Sequence, residues 1–159
     1  MHQASYLCAL PDVGERYAQP QNPSLSFDIQ VSTPGQYTVW ARGMAPDLAG
    51  DSVHISLNGN HQARLTGFEV QTWSWAKLDI AGGDVAVDLV SGQQTLSLSM
   101  AEDGTRIDRL YLTNDGTVPT GQGPAASVYQ TSTVTTQETI SQTVVYDYDG
   151  LYLSTTIRY

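Results

Sequence analysis

Residues Leu25–Val31 read Leu-Ser-Phe-Asp-Ile-Gln-Val, so Leu25, Phe27, Ile29 and Val31 fall on one side of an extended chain and the polar residues on the other. A helix would scatter these apolar side chains around its circumference, whereas a half-buried strand gathers them. The same period returns between turn signals along the chain. Pro34-Gly35 leads into Gln36–Arg42, where Tyr37, Val39 and Ala41 alternate with polar residues. Asp51–Leu57 turns Val53, Ile55 and Leu57 inward and Ser52, His54 and Ser56 outward. Asn58-Gly59 then signals a tight hairpin, because both positions tolerate positive φ. Arg64–Val70 and Trp73–Ile80 are predicted as further strands, followed after Gly82-Gly83 by the alternating Val85, Val87 and Leu89. Ser91-Gly92 turns into Thr95–Met100, and Arg106–Thr113 closes the series. About eight strands at the roughly 8–12-residue spacing of a sandwich predict an all-β fold. One wet face per strand points to a jelly-roll-like antiparallel β-sandwich.

The pattern changes after Thr113. A sandwich over residues 1–116 is followed by a Gly- and Pro-rich linker, 117–127, and a Thr- and Ser-rich β tail, 128–159. Within the tail, Thr143–Tyr148 and Leu151–Tyr159 are set to pair around Asp149-Gly150. An isolated hairpin is only marginally stable in water. The tail is therefore expected to lean on the sandwich, on a following domain or on another copy of the chain.

Charge narrows the partners. Sixteen acids against seven bases give a net charge of −9, which disfavours contact with nucleic-acid phosphates. No stretch approaches the roughly 20 apolar residues of a membrane span. Residues 1–10 lack the basic and apolar regions of a signal peptide. Only 14% of residues are charged, against about 25% in an average soluble domain. That deficit, filled by Ser, Thr, Gln, Asn and Gly, suits an extracellular or cell-surface β-protein. Cys8 is the sole cysteine, which excludes an internal disulfide, and its neighbours Leu7 and Ala9 predict a small core residue.

Few side chains offer chemistry. No nucleophile elbow, phosphate loop or metal-spaced histidine pair is present, so no enzyme is expected. Asp108 shares a face with Leu110 and Leu112 if Arg106–Thr113 is regular. A carboxylate facing a core must be turned out by a bulge, neutralised by Arg106 or Arg109, or used to bind calcium or a ligand. Glu102, Asp103 and Gly104 form an acidic turn just ahead of that strand, able to present carboxylates to sugar hydroxyls. Asp47 and Asp51 flank another loop and carry the same two readings. Trp73 and Trp75 share one strand face with Lys77. They either stack on pyranose rings or belong to the core. Trp40 lies opposite Tyr37 and Val39, so it is exposed or both faces of its strand are covered.

Several separated strings carry a resemblance. Pro34-Gly35-Gln36-Tyr37-Thr38-Val39-Trp40-Ala41-Arg42-Gly43, Asp51-Ser52-Val53-His54, Asn58-Gly59, Trp73-Ser74-Trp75 and Met100–Arg109 resemble motifs of the C-terminal domain of family 115 glycoside hydrolases. More distantly they resemble carbohydrate-binding modules of families 6 and 35. The resemblance spans about Tyr6–Ser127. It implies a jelly-roll sandwich that binds a polysaccharide or glycan, and it sets Asp108 at a calcium-holding position. The usual Glu-x-Glu partner near the N-terminus is absent, since Tyr6–Leu10 is acid-free. Tyr146-Asp147-Tyr148-Asp149-Gly150 is similar to the Tyr-Asp repeats of large bacterial surface proteins.

The expected ligand contacts are accordingly Trp73, Trp75, Asp51, Glu102, Asp103 and Arg106, with Asp108 as the metal ligand. The expected role is a saccharide-binding module. The alternative is a subunit of a surface filament that oligomerises by strand addition through residues 128–159.

Overall fold

A computed structural model describes residues 6–9, 14–16, 18, 24–80, 83–127, 143–148 and 151–156. Among these no helix occurs. The strands are β1 (Leu7–Cys8), β2 (Ser24–Val31), β3 (Gly35–Met44), β4 (Val53–Leu57), β5 (Asn60–Leu65), β6 (Ser74–Lys77), β7 (Asp79–Ile80), β8 (Gly83–Asp84), β9 (Ala86–Leu89), β10 (Gly92–Met100), β11 (Arg106–Thr113), β12 (Thr143–Tyr148) and β13 (Leu151–Thr156).

Sheet A runs β1-β11-β3-β6, with β9 also paired to β3, and sheet B runs β2-β10-β4-β5. All their strand pairings are antiparallel. The chain crosses between the sheets repeatedly, and the fold is the expected jelly-roll-like sandwich. Its core lies between the sheets, where Val39, Ala41, Ile55, Leu65, Leu78, Val87 and Leu96 are fully buried. The Phe68 ring packs on Gly43, where a Cβ would meet it at 2.6 Å. That close approach explains a glycine near the end of β3.

Alternation located β2, β3, β4, β9, β10 and β11 to within a few residues. Two segments differ from the sequence reading. The strand expected at Arg64–Val70 is instead β5, Asn60–Leu65, which begins at once after the Asn58-Gly59 turn. Both turn residues have positive φ, 50° and 79°, so the return strand needs no further loop. The expected Trp73–Ile80 strand is split into β6 and β7 at Leu78, which donates its N–H to Val39 O of β3 and also bridges to Leu65 of sheet B.

Cys8 is exposed, which corrects the core reading. It pairs with Arg106 on the outer side of sheet A, while its neighbour Leu7 pairs with Ile107 on the inner side. In the tail, β12 and β13 pair with each other, Thr143 opposite Thr156 and Tyr148 opposite Leu151. The proposed turn Asp149-Gly150, the rest of the tail, His2 and Gly82 lie outside the described residues.

Candidate functional site

Strand β3 fixes what sheet A shows to the outside. With Val39, Ala41, Gly43 and Ala45 turned inward, Thr38, Trp40, Arg42 and Met44 face outward. Register then aligns Tyr111 and Lys77 with Trp40, and Arg109 and Trp75 with Arg42. All three tryptophans and four of the seven Lys and Arg residues thus collect on one outer face. Trp73 and Trp75 share a face, as expected, but it is not the core.

Asp108 sits in a β-bulge. The register of β11 against β3 shifts between Ile107 and Arg109, so Ile107 and Leu110 both point inward although they are three residues apart. The extra residue carries Asp108 to the outer side. There both carboxylate oxygens accept hydrogen bonds from Arg42, one from Nε at 2.9 Å and the other from Nη2. The bulge is one of the escapes available from the sequence, but the neutralising cation is Arg42 rather than Arg106 or Arg109. The side chains are 12% and 7% exposed, so the pair is largely withdrawn from water. The Asp108 hydrogen bonds raise the Arg42 pKa further above its ordinary value.

Residues 119–124 pass over this face. The Gly121 carbonyl accepts hydrogen bonds from Trp75 Nε1 at 3.1 Å and from Arg42 Nη1 at 3.3 Å. Pro124 O accepts one from Arg109. Gly123 packs on the Trp75 ring, where a Cβ would approach to 2.6 Å. Trp75 is therefore covered. The Arg42 guanidinium lies 5.5 Å from the ring centre of Trp73. Tyr6, 48% exposed, sits 5.9 Å from Trp73 with a 60° tilt, and Arg106 lies 5.4 Å from the Tyr6 ring. Two buried donors here, Trp40 Nε1 and Arg106 Nε, have no hydrogen-bond partner.

The remaining acidic candidates lie apart from this aromatic cluster and are tied into loops. Glu102 is buried, and its Oε2 accepts from Asp51 N at 2.8 Å and Ser52 Oγ at 2.7 Å. Asp51 in turn accepts from Thr66 Oγ1 and Gly67 N. Burial pushes the Asp51 carboxyl up, the charge of Glu102 adds to this, and the Thr66 and Gly67 bonds oppose it. Asp103 accepts from Gly14 N, fastening the N-terminal segment, and Asp47 accepts from Ala49 N in its own loop. No group of three His, Cys, Asp or Glu able to hold a metal ion occurs among the described residues. With both Asp108 oxygens on Arg42, the donor set around Asp108 does not fit calcium, which takes 6–8 oxygen ligands as a rule.

Sheet B has a different outer face. Ser24, Ser99, His54 and Arg64 form one row across it, and Ser26, Ser97, Ser56 and His61 the next. His54 is 1% exposed, buried under the backbone of Arg16, whose carbonyl accepts a hydrogen bond from His54 Nε2 at 2.7 Å. His54 Nδ1 meets His61 Nε2 at 3.1 Å. This convergence escaped the sequence reading, although a two-residue hairpin already places residues 54 and 61 diagonally on one face. Burial lowers the His54 pKa, outweighing the Arg16 carbonyl, and the nearby charges of His61 and Arg64 lower it too. An apolar cavity of about 300 Å³ opens between the sheets beside β1 and β2, lined by Leu7, Leu25, Val53, Leu98 and Ile107. Arg16, Ser24, Ser99 and Thr105 also line it, but its surface is mainly apolar.

No protein-family model matches the chain. An uncharacterized protein of Formosa agariphila is 30% identical over 113 residues, which cover 63% of this chain and 27% of the relative. The chain thus spans about a quarter of that protein. Among solved structures, a CBM35 from Cellvibrio japonicus is 18% identical with a TM-score of 0.46, covering 70% of this chain and 89% of that one. A family 35 carbohydrate binding module from Clostridium thermocellum is 15% identical with a TM-score of 0.47, covering 69% and 90%.

Proposed function

We propose that this chain is a non-catalytic saccharide-binding module of an extracellular or cell-surface protein, and that it contacts its ligand through Tyr6, Trp73 and Arg106. The observation that carries this reading is the tilted Tyr6–Trp73 pair, open to solvent at Tyr6 and backed by two guanidinium groups. A pyranose offers a flat C–H face and a rim of hydroxyls. Aromatic rings meet the first, and a planar guanidinium fork donates to the second or to a carboxylate or sulfate. The chain is acidic overall, yet Arg42, Lys77, Arg106 and Arg109 gather on this face, which favours anionic sugars. The carboxylates Asp51, Glu102 and Asp108 are spent on internal hydrogen bonds, which supports a binding role over acid–base catalysis.

The test is calorimetric titration of the full chain against neutral and uronate-containing oligosaccharides. Trp73→Ala is expected to weaken binding at least about tenfold, since stacking and hydrogen-bonded contacts are each worth 1–2 kcal/mol or so. Unchanged affinity in a folded Trp73→Ala variant would sink the assignment of the surface.

A second reading has one observation in its favour. Hairpin β12–β13 hydrogen-bonds to no other strand among the described residues, although β13 lies beside the edge strand β2, so strand edges are left without ladder partners. Strand addition between copies would satisfy them. Solution mass distinguishes the readings: an assembly subunit becomes monomeric when cut after Ser127, whereas a binding module keeps both its mass state and its affinity.

A further inference from the structure

We propose that His54 and His61 form a two-imidazole site for a first-row divalent transition-metal ion on the outer face of sheet B. The tautomers follow from the partners. A carbonyl only accepts, so His54 donates Nε2–H to Arg16 O at 2.7 Å. In neutral His54 the other nitrogen, Nδ1, then carries a lone pair, and it faces His61 Nε2 at 3.1 Å.

This is the arrangement of a metal-ligating histidine, whose second N–H is usually held by a carbonyl or carboxylate that fixes tautomer and ring direction. The nitrogen separation also fits. Two nitrogens each about 2.0–2.1 Å from a zinc ion lie roughly 3.3 Å apart at a tetrahedral angle and about 2.9 Å apart at a right angle. The observed 3.1 Å falls between them. A metal ion takes the place of the bridging proton, which moves from His61 Nε2 to His61 Nδ1, and sits to one side of the line between the nitrogens. His54, 1% exposed, is the fixed ligand, and the exposed His61 swings by the small rotation required. Solvent completes the coordination sphere on the open side. Imidazole donors select Zn²⁺, Cu²⁺ or Ni²⁺ over the calcium expected of oxygen cages.

The two ligands stand on β4 and β5, across the Asn58-Gly59 turn, and His54 also holds the Arg16 segment. A bound ion therefore ties three pieces of chain together without touching the aromatic face of sheet A.

The experiment is titration of the full chain with Zn²⁺ at neutral pH, followed by calorimetry and by imidazole ¹⁵N NMR. The expected result is one ion per chain with the His54 Nδ1 resonance moving on binding. His61→Gln, at an exposed position, is expected to leave the fold intact and weaken binding at least about tenfold. His2→Gln is the companion variant, because the N-terminal histidine is the other simple place for a metal. Binding that survives His61→Gln, or that is lost only in His2→Gln, overturns the proposal, as does Zn²⁺ binding that leaves the His54 resonance in place.

Discussion

On sheet A the surface turned from the core carries Trp40, Trp75, Tyr111, Arg42 and Arg109. On sheet B the matching surface carries Ser26, Ser97, Ser56, Ser99 and His54. Both are partly covered, yet by different means. The first is bound by a charged pair and by side chains donating to the carbonyls of a crossing strap. The second is bound by small hydroxyls and two imidazoles, with Ser26 Oγ and Ser97 Oγ 2.8 Å apart and the Arg16 backbone lying over His54. Large planar groups leave orphan donors, such as Trp40 Nε1 and Arg106 Nε, buried without a hydrogen-bond partner. Small groups close up against whatever crosses them.

Each face is therefore expected to fail differently. The largest effect is expected from Arg42→Ala. It leaves the Asp108 carboxylate without its cation at a site only 7% exposed, and removing one partner of a buried pair costs about 3–5 kcal/mol. Urea unfolding measures this. A loss below about 1 kcal/mol would mean that solvent already screens the pair and that the face is held by its rings alone. A smaller effect is expected from acid, and it falls on sheet B. His54 has a folded pKa below its ordinary 6.5, so the unfolded chain takes up the proton first. Stability contributed by neutral His54 is present above pH 6.5 and is lost as pH falls through that value toward the lowered folded pKa. Thermal melts between pH 7 and pH 5 follow it. A His54→Asn variant with the same pH slope as the parent would remove His54 as the cause.

How much of this could be read from the chain alone depends on the distance over which each feature is decided. Period-two alternation is local, so β2, β10 and β11 were legible from Phe27, Leu96 and Leu112 and their neighbours. The Asn58-Gly59 turn was legible for the same reason. The bulge at Asp108 was legible only as one alternative among several, because choosing it depends on which strand lies opposite, and that strand is 66 residues earlier in the chain, at Arg42. The same alternation assigned Asp108 to the core side, and only the partner strand corrects it. Cys8 misled through its apolar neighbours, since two residues of a short edge strand carry too little pattern to say which one faces in. Trp73 and Trp75 were correctly placed on one face, but only the paired register shows that Trp40 and Tyr111 share it.

The gathering of every tryptophan on the outside of one sheet has a practical consequence. Tryptophan fluorescence of this protein comes from a single surface, on which Trp75 packs against Gly123 and Trp73 neighbours the exposed Tyr6. Emission recorded during unfolding or titration is a one-sided probe. It registers strap release and ligand arrival on sheet A, and it is silent to events around the histidines of sheet B. A transition seen by histidine resonances and missed by fluorescence would then identify the half of the sandwich that moved.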